Sequence, residues 1–85
     1  MEEIVVLEPT QGVMEMLDPS GDTKLIWDRT KRVEVDAAEE MFDSLIKKQY
    51  LAFQAEGDDG RKGKQITKFD PSMERIIMVP RMVGG

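Results

Sequence analysis

The sequence predicts an α+β domain in which one amphipathic helix packs on a mixed sheet of four or five strands. Three observations carry this expectation. Apolar side chains recur with a helical period once, at Ala38, Met41, Phe42 and Leu45. Short runs rich in β-favouring residues, bounded by Gly, Pro, Asp and Ser, lie on both sides of that segment. Two of those runs, Ile4-Val5-Val6-Leu7 and Ile76-Ile77-Met78-Val79, are apolar on both faces, as strands inside a covered sheet are.

Taken in order, Ile4 to Leu7 is stopped by Pro9 and followed by Gly12, which reads as a first strand. Val13 to Leu17 and Thr23 to Asp28 flank Asp18-Pro19-Ser20-Gly21-Asp22. In that turn, Pro presets φ and Gly supplies a positive φ, so the pair is expected to form a hairpin. Asp36-Ala37-Ala38-Glu39 has the spacing of a capping box, with a side-chain acceptor for the free N–H groups and a carboxylate three residues on. It predicts a helix over 36–48, supported by the Asp43 and Lys47 pair and by Lys47-Lys48 at the negative end of the helix dipole.

Tyr50 to Ala55 follows as a strand with Leu51, Phe53 and Ala55 on one face. The glycine-bearing, charged stretch 56–64 reads as an exposed loop, leading into a return strand over 65–69. Phe69-Asp70-Pro71-Ser72 turns the chain into a last strand over 74–79, which Pro80 ends. Residues 1–80 are therefore expected to form one domain, with a short tail, Arg81-Met82-Val83-Gly84-Gly85.

A chain of 85 residues has room for one hydrophobic core. It contains neither Cys nor His, which removes disulfides, thiolate nucleophiles, imidazole bases and the usual zinc and haem ligands, so no enzyme activity, metal or cofactor is expected. Ser20, Ser44 and Ser72 have no base placed to activate them. Asp58-Asp59 departs from the spaced ligands of a calcium loop, and Gly57 to Lys64 lacks the Gly-Lys-Ser/Thr ending of a phosphate loop. Both are expected to be solvated loop residues. Trp27 is expected to anchor the core or the hairpin rather than carry a ligand.

A net charge of −5 opposes nucleic acid and anionic membrane as partners. No apolar run is long enough to cross a bilayer, and Met1-Glu2-Glu3 is acidic where a signal peptide would be basic, so the cytoplasm is the expected compartment. The apolar surplus leads to a further expectation. One helix covers one face of a sheet, so Val5, Leu7, Ile76 and Met78 are candidates for a second face that meets another protein. The seven Met residues suit an adaptable contact surface, although they also serve as core gap fillers.

Gly84-Gly85, following a Pro-terminated strand, is thin enough to enter a narrow channel of another enzyme. The order hairpin, helix, strand, strand, then Arg81-Met82-Val83-Gly84-Gly85, resembles the β-grasp fold of ubiquitin and of the prokaryotic sulfur carriers. That resemblance implies that Gly85 is activated as an adenylate and joined to an amine or converted to a thiocarboxylate. Gly84 would give access, and Arg81 would contact the activating enzyme. The stretch from about Met14 to Gly85 is also similar to small proteins of bacteria, archaea and their mobile elements, in elements like Gly21-Asp22-Thr23-Lys24, Phe69-Asp70-Pro71 and Gly84-Gly85. This second resemblance implies no activity, and it places the chain in a prokaryotic or phage-infected cell.

Two functional readings follow, both of them protein-binding. One is a ubiquitin-like modifier or carrier that meets an activating enzyme through its tail. The other is a structural subunit of a phage particle or other oligomeric complex, which buries its second sheet face and its tail against neighbours. A third, an inhibitor that mimics nucleic acid, would use Glu39, Glu40 and Asp43 on the helix.

Overall fold

The computed structural model describes residues 7–18, 21–56 and 61–81. The chain runs β1 (Gln11–Asp18), β2 (Gly21–Asp28), α1 (Arg32–Lys47), β3 (Tyr50–Glu56), β4 (Arg61–Ile66) and β5 (Arg75–Pro80). All five strands join one sheet in the order β2-β1-β5-β3-β4. β1 and β5 pair in parallel and every other neighbour pair is antiparallel, so the sheet is mixed. The expected α+β layout of one helix on such a sheet is therefore present. The expected strand at Ile4–Val6 lies outside the described residues, and Leu7 belongs to no strand.

β1 and β2 form the expected hairpin, in register from Gln11 opposite Asp28 to Asp18 opposite Gly21. Their side chains alternate between faces, and the helix side receives Met14 and Met16 from β1 and Trp27 from β2. Gly12 sits where a side chain has no room: a Cβ there would lie 2.4 Å from Trp27 Cζ2 and 2.8 Å from the Met73 carbonyl oxygen. The indole can therefore lie flat against bare backbone.

The helix starts four residues before the capping-box position. Its N-cap is Lys31, which makes no side-chain cap bond, and Asp36 lies inside the helix, paired with Arg32 at 3.4 Å. The start is set instead by the turn after β2. Asp28 Oδ1 accepts from the Thr30 N–H (2.9 Å) and hydroxyl (2.6 Å), while Glu34 Oε1 accepts from the Asp28 N–H (3.0 Å). These bonds shape the turn that precedes Arg32, the first helical residue, and leave the N–H groups of the first helical turn without a side-chain cap. At the other end Gln49 takes the left-handed conformation (φ 71°), and its N–H donates to the Ile46 carbonyl at 3.0 Å, which turns the chain into β3.

β4 also departs from expectation. It spans Arg61–Ile66 and not 65–69, so part of the charged stretch read as loop is an edge strand, whose register against β3 shifts between Phe53 and Ala55 by one extra residue in β4. Phe69 lies in no strand. It sits in the crossover from β4 to β5 and packs on Trp27 (ring centroids 5.1 Å apart, edge-on) and on Phe42 (5.9 Å). The same crossover delivers the Pro71 carbonyl, which accepts from Trp27 Nε1 (3.2 Å) and Arg29 Nε (2.9 Å). Trp27 is thus the structural anchor that its sequence context suggests. The core it anchors contains Ala38, Phe42 and Leu45 of α1 over Met14, Met16, Ala52, Ile76 and Met78 of the sheet.

Candidate interaction surfaces

Parity along the strands divides the sheet into two faces. The register that places Ile76 beside Met14 and Met78 beside Met16 and Ala52 turns all of them toward α1. Ile76 and Met78 are fully buried there. This corrects their assignment to a partner face, because the helix itself is what covers them. The apolar residues of β5 on the outer face are Ile77 and Val79. Of the other two candidates, Leu7 is half-buried beside the turn closed by the Gln11 N–H on the Glu8 carbonyl (2.9 Å), and Val5 lies outside the described residues.

The outer face carries Val13 and Leu17 from β1, Ile26 from β2, Ile77 and Val79 from β5, and Leu51, Phe53 and Ala55 from β3. Val13 and Ile77 are buried, Ile26 is 42% exposed, and the others are half-buried. Glu15 and Arg75 lie among them, with Oε1 and Nη1 3.9 Å apart. Among the described residues no helix covers this face, which is the apolar surface that sequence reasoning placed on the wrong half of β5. The charged Glu15 between Met14 and Met16 was the available signal, since it marks the outward parity of β1.

Clefts lie at both ends of the helix. Near its start, a cavity of about 520 Å³ is lined by Arg29, Arg32, Val35, Glu39, Phe69 and Pro71. Arg29 is held at the edge of it, with Nη1 donating to the Pro9 carbonyl (3.0 Å) as well as Nε to Pro71. Near the end of the helix, a smaller cleft of about 200 Å³ is lined by Ile46, Gln49, Tyr50, Ile66 and Arg81. The Arg81 N–H donates to the Gln49 carbonyl at 3.1 Å, which fixes the point where the chain leaves the sheet. Arg81 is exposed. The rest of the tail, Met82, Val83, Gly84 and Gly85, lies outside the described residues, as do Asp58 and Asp59.

Two carboxylates have lowered pKa values, and both close turns. Asp28 is lowered first by the Thr30 hydroxyl and then by the Thr30 N–H; Asp70 is lowered by the corresponding groups of Ser72, at 2.6 and 2.9 Å. Each bond stabilises the ionised form. Among the described residues, no three His, Cys, Asp or Glu side chains come together as metal ligands, and no helix is long and apolar enough to cross a membrane.

These features define a small α+β domain whose described surface includes an apolar sheet face and clefts beside the helix. No protein-family model, curated protein or solved structure matches the chain.

Proposed function

We propose that this chain is a small non-enzymatic protein-binding domain with a β-grasp layout, used as a ubiquitin-like modifier or carrier through Gly84 and Gly85. The observation that carries this reading is the place of β5. The last strand lies in the centre of the sheet, held by β1 and β3, and hands the chain out at Arg81 beside the end of α1. A segment leaving a central strand is supported by the most firmly held part of the fold, so it can be offered to an activating enzyme without local unfolding. The order hairpin, helix, three strands supports the same reading. On it, Gly85 carries the activated carboxyl, Gly84 leaves the channel of the enzyme unobstructed, and Arg81 supplies a cation at the base of the tail.

The test is a tagged chain incubated with ATP in extract of the cell that carries it, followed by denaturing capture and mass spectrometry. Tryptic cleavage after Arg81 would leave Met-Val-Gly-Gly on an acceptor lysine, and the intact mass would show which residue ends the chain and whether it carries an adenylate or thiocarboxylate. Deletion of Gly85 is expected to abolish every such product. Capture of only unmodified chain would overturn the modifier reading.

The half-buried outer face favours a second reading, an assembly subunit that buries this face against neighbours. Light scattering on the full chain and on a chain lacking Val83, Gly84 and Gly85 separates the two. A monomer indifferent to the deletion fits a modifier, whereas an oligomer that dissociates fits an assembly.

A further inference from the structure

The charged side chains of this molecule are segregated. On α1, Asp36, Glu39, Glu40 and Asp43 recur at i, i+3, i+4 and i+7, all exposed, and form one ridge. Beside the ridge runs a strip of Val33, Ala37, Met41 and Ser44, with Val33 81% and Met41 40% exposed. Small side chains at 37 and 44 let another surface approach the helix closely. At the far end of the helix the sign reverses. Arg81 lines the cleft with Ile46, Tyr50 and Ile66, Lys47 and Lys48 follow Ile46 in the chain, Lys68 lies two residues after Ile66, and all four cations are exposed. Among the described residues these four cations take part in no ion pair, and neither do Glu39, Glu40 and Asp43.

We infer that the ridge with its strip and the basic cleft are the two halves of one interface between copies of this chain. The occupant follows from charge complementarity: each patch needs a partner with an apolar centre and a rim of opposite sign, and the chain itself presents one. The overall charge of −5 opposes association at long range, but at physiological salt that repulsion is screened beyond about 8 Å, so the facing patches decide the outcome at contact. The contact pairs unlike patches, the ridge of one copy with the basic cleft of the next, and reciprocal pairing of the same two patches closes it as a two-fold dimer. The inference shares self-association with the assembly reading above but places the contact on the helix and the basic cleft instead of the outer sheet face.

Sedimentation velocity over a range of protein concentrations tests it, at about 150 mM and about 1 M salt. The full chain is expected to associate in the low salt and to lose roughly tenfold or more of that association constant in the high. E39K/E40K and K48E/K68E should each be monomeric with unchanged circular dichroism, since every replaced side chain is exposed. Mixed at equal concentration, the two variants should associate again, because each then meets an opposite charge. Folded variants that stay apart on mixing would overturn the interface. Association that survives both charge reversals but is dissolved by Ile26→Asp would move the contact to the outer sheet face, sinking this interface while the assembly reading stands. A full chain that is monomeric throughout would sink both.

Discussion

On the helix side of the sheet, Ile76 and Met78 are wholly shut away from water; on the other side Val79, the next residue along the same strand, is half-buried. The residue types hardly differ between the two faces, so strand hydrophobicity alone does not account for the difference. The cover does. α1 and the 67–74 crossover close one face with Phe42, Leu45 and Phe69, and among the described residues no helix lies on the outer face. Val13 and Ile77 are buried there because each sits on a central strand between longer side chains, Ile26 and Arg75 for Val13, Glu15 and Phe53 for Ile77. Toward the edges that shielding fails, and Ile26 opens to solvent. The comparison ties the full burial of Ile76 and Met78 to the cover that α1 and the crossover supply.

The largest effect should come from breaking the covered side at its anchor. Trp27→Ala removes the indole from Gly12, from Phe69 and from the Pro71 carbonyl together, and is expected to cost about 3–5 kcal/mol. A urea titration checks it; a cost under about 1 kcal/mol would mean that Trp27 does not anchor the core. Next in size is Gly12→Val. A Cβ 2.4 Å from a buried ring and 2.8 Å from a backbone oxygen forces both to move, at a cost of about 2–3 kcal/mol. Gly12→Val combined with Trp27→Leu should recover part of that loss, since the smaller side chain frees the space.

A middle-sized test sharpens the contrast directly. Val79→Thr on the outer face should cost less than about 1 kcal/mol, while Met78→Thr, one residue away, should cost about 2–3, because its hydroxyl would enter a dry core beside Met16 and Ala52. Equal losses would erase the distinction between the faces.

How much of this was legible in the sequence depended on whether a local pattern had one meaning. The Ile76 to Val79 run could only be a covered strand, and it lies in the centre of the sheet. The same run could not tell which of Ile76 and Ile77 meets the helix, because four consecutive apolar residues carry no alternation; only pairing with β1 decides it. Asp36 and Glu39 matched a capping box, but the turn after β2 uses Asp28, Thr30 and Glu34 and starts the helix a turn earlier. β4 was hidden because an edge strand needs charges facing water and so looks like loop. The segregated charges were present as single residues. Their grouping came from the helix and from the approach of β4, β5 and the helix end, which no short window of sequence contains.

The smallest expected effect concerns the two turns that bring Trp27 and Pro71 to the covered side. Asp28 closes the turn after β2, and Asp70 closes the one that presents Pro71. Both carboxyls titrate below their ordinary value when folded, through the Thr30 and Ser72 hydroxyls and N–H groups. A depressed folded pKa means that the unfolded chain binds the proton more readily. The stabilisation is therefore complete above the unfolded pKa and fades as pH falls through the folded one. Both groups are close to solvent, so the contribution is modest. Urea midpoints measured between about pH 6 and pH 2 should fall on the acid side for the native chain, and less steeply for Asp28→Asn with Asp70→Asn. If the double variant kept the full acid dependence, that dependence would have to come from other carboxylates, and the turns would owe their shape to backbone geometry alone.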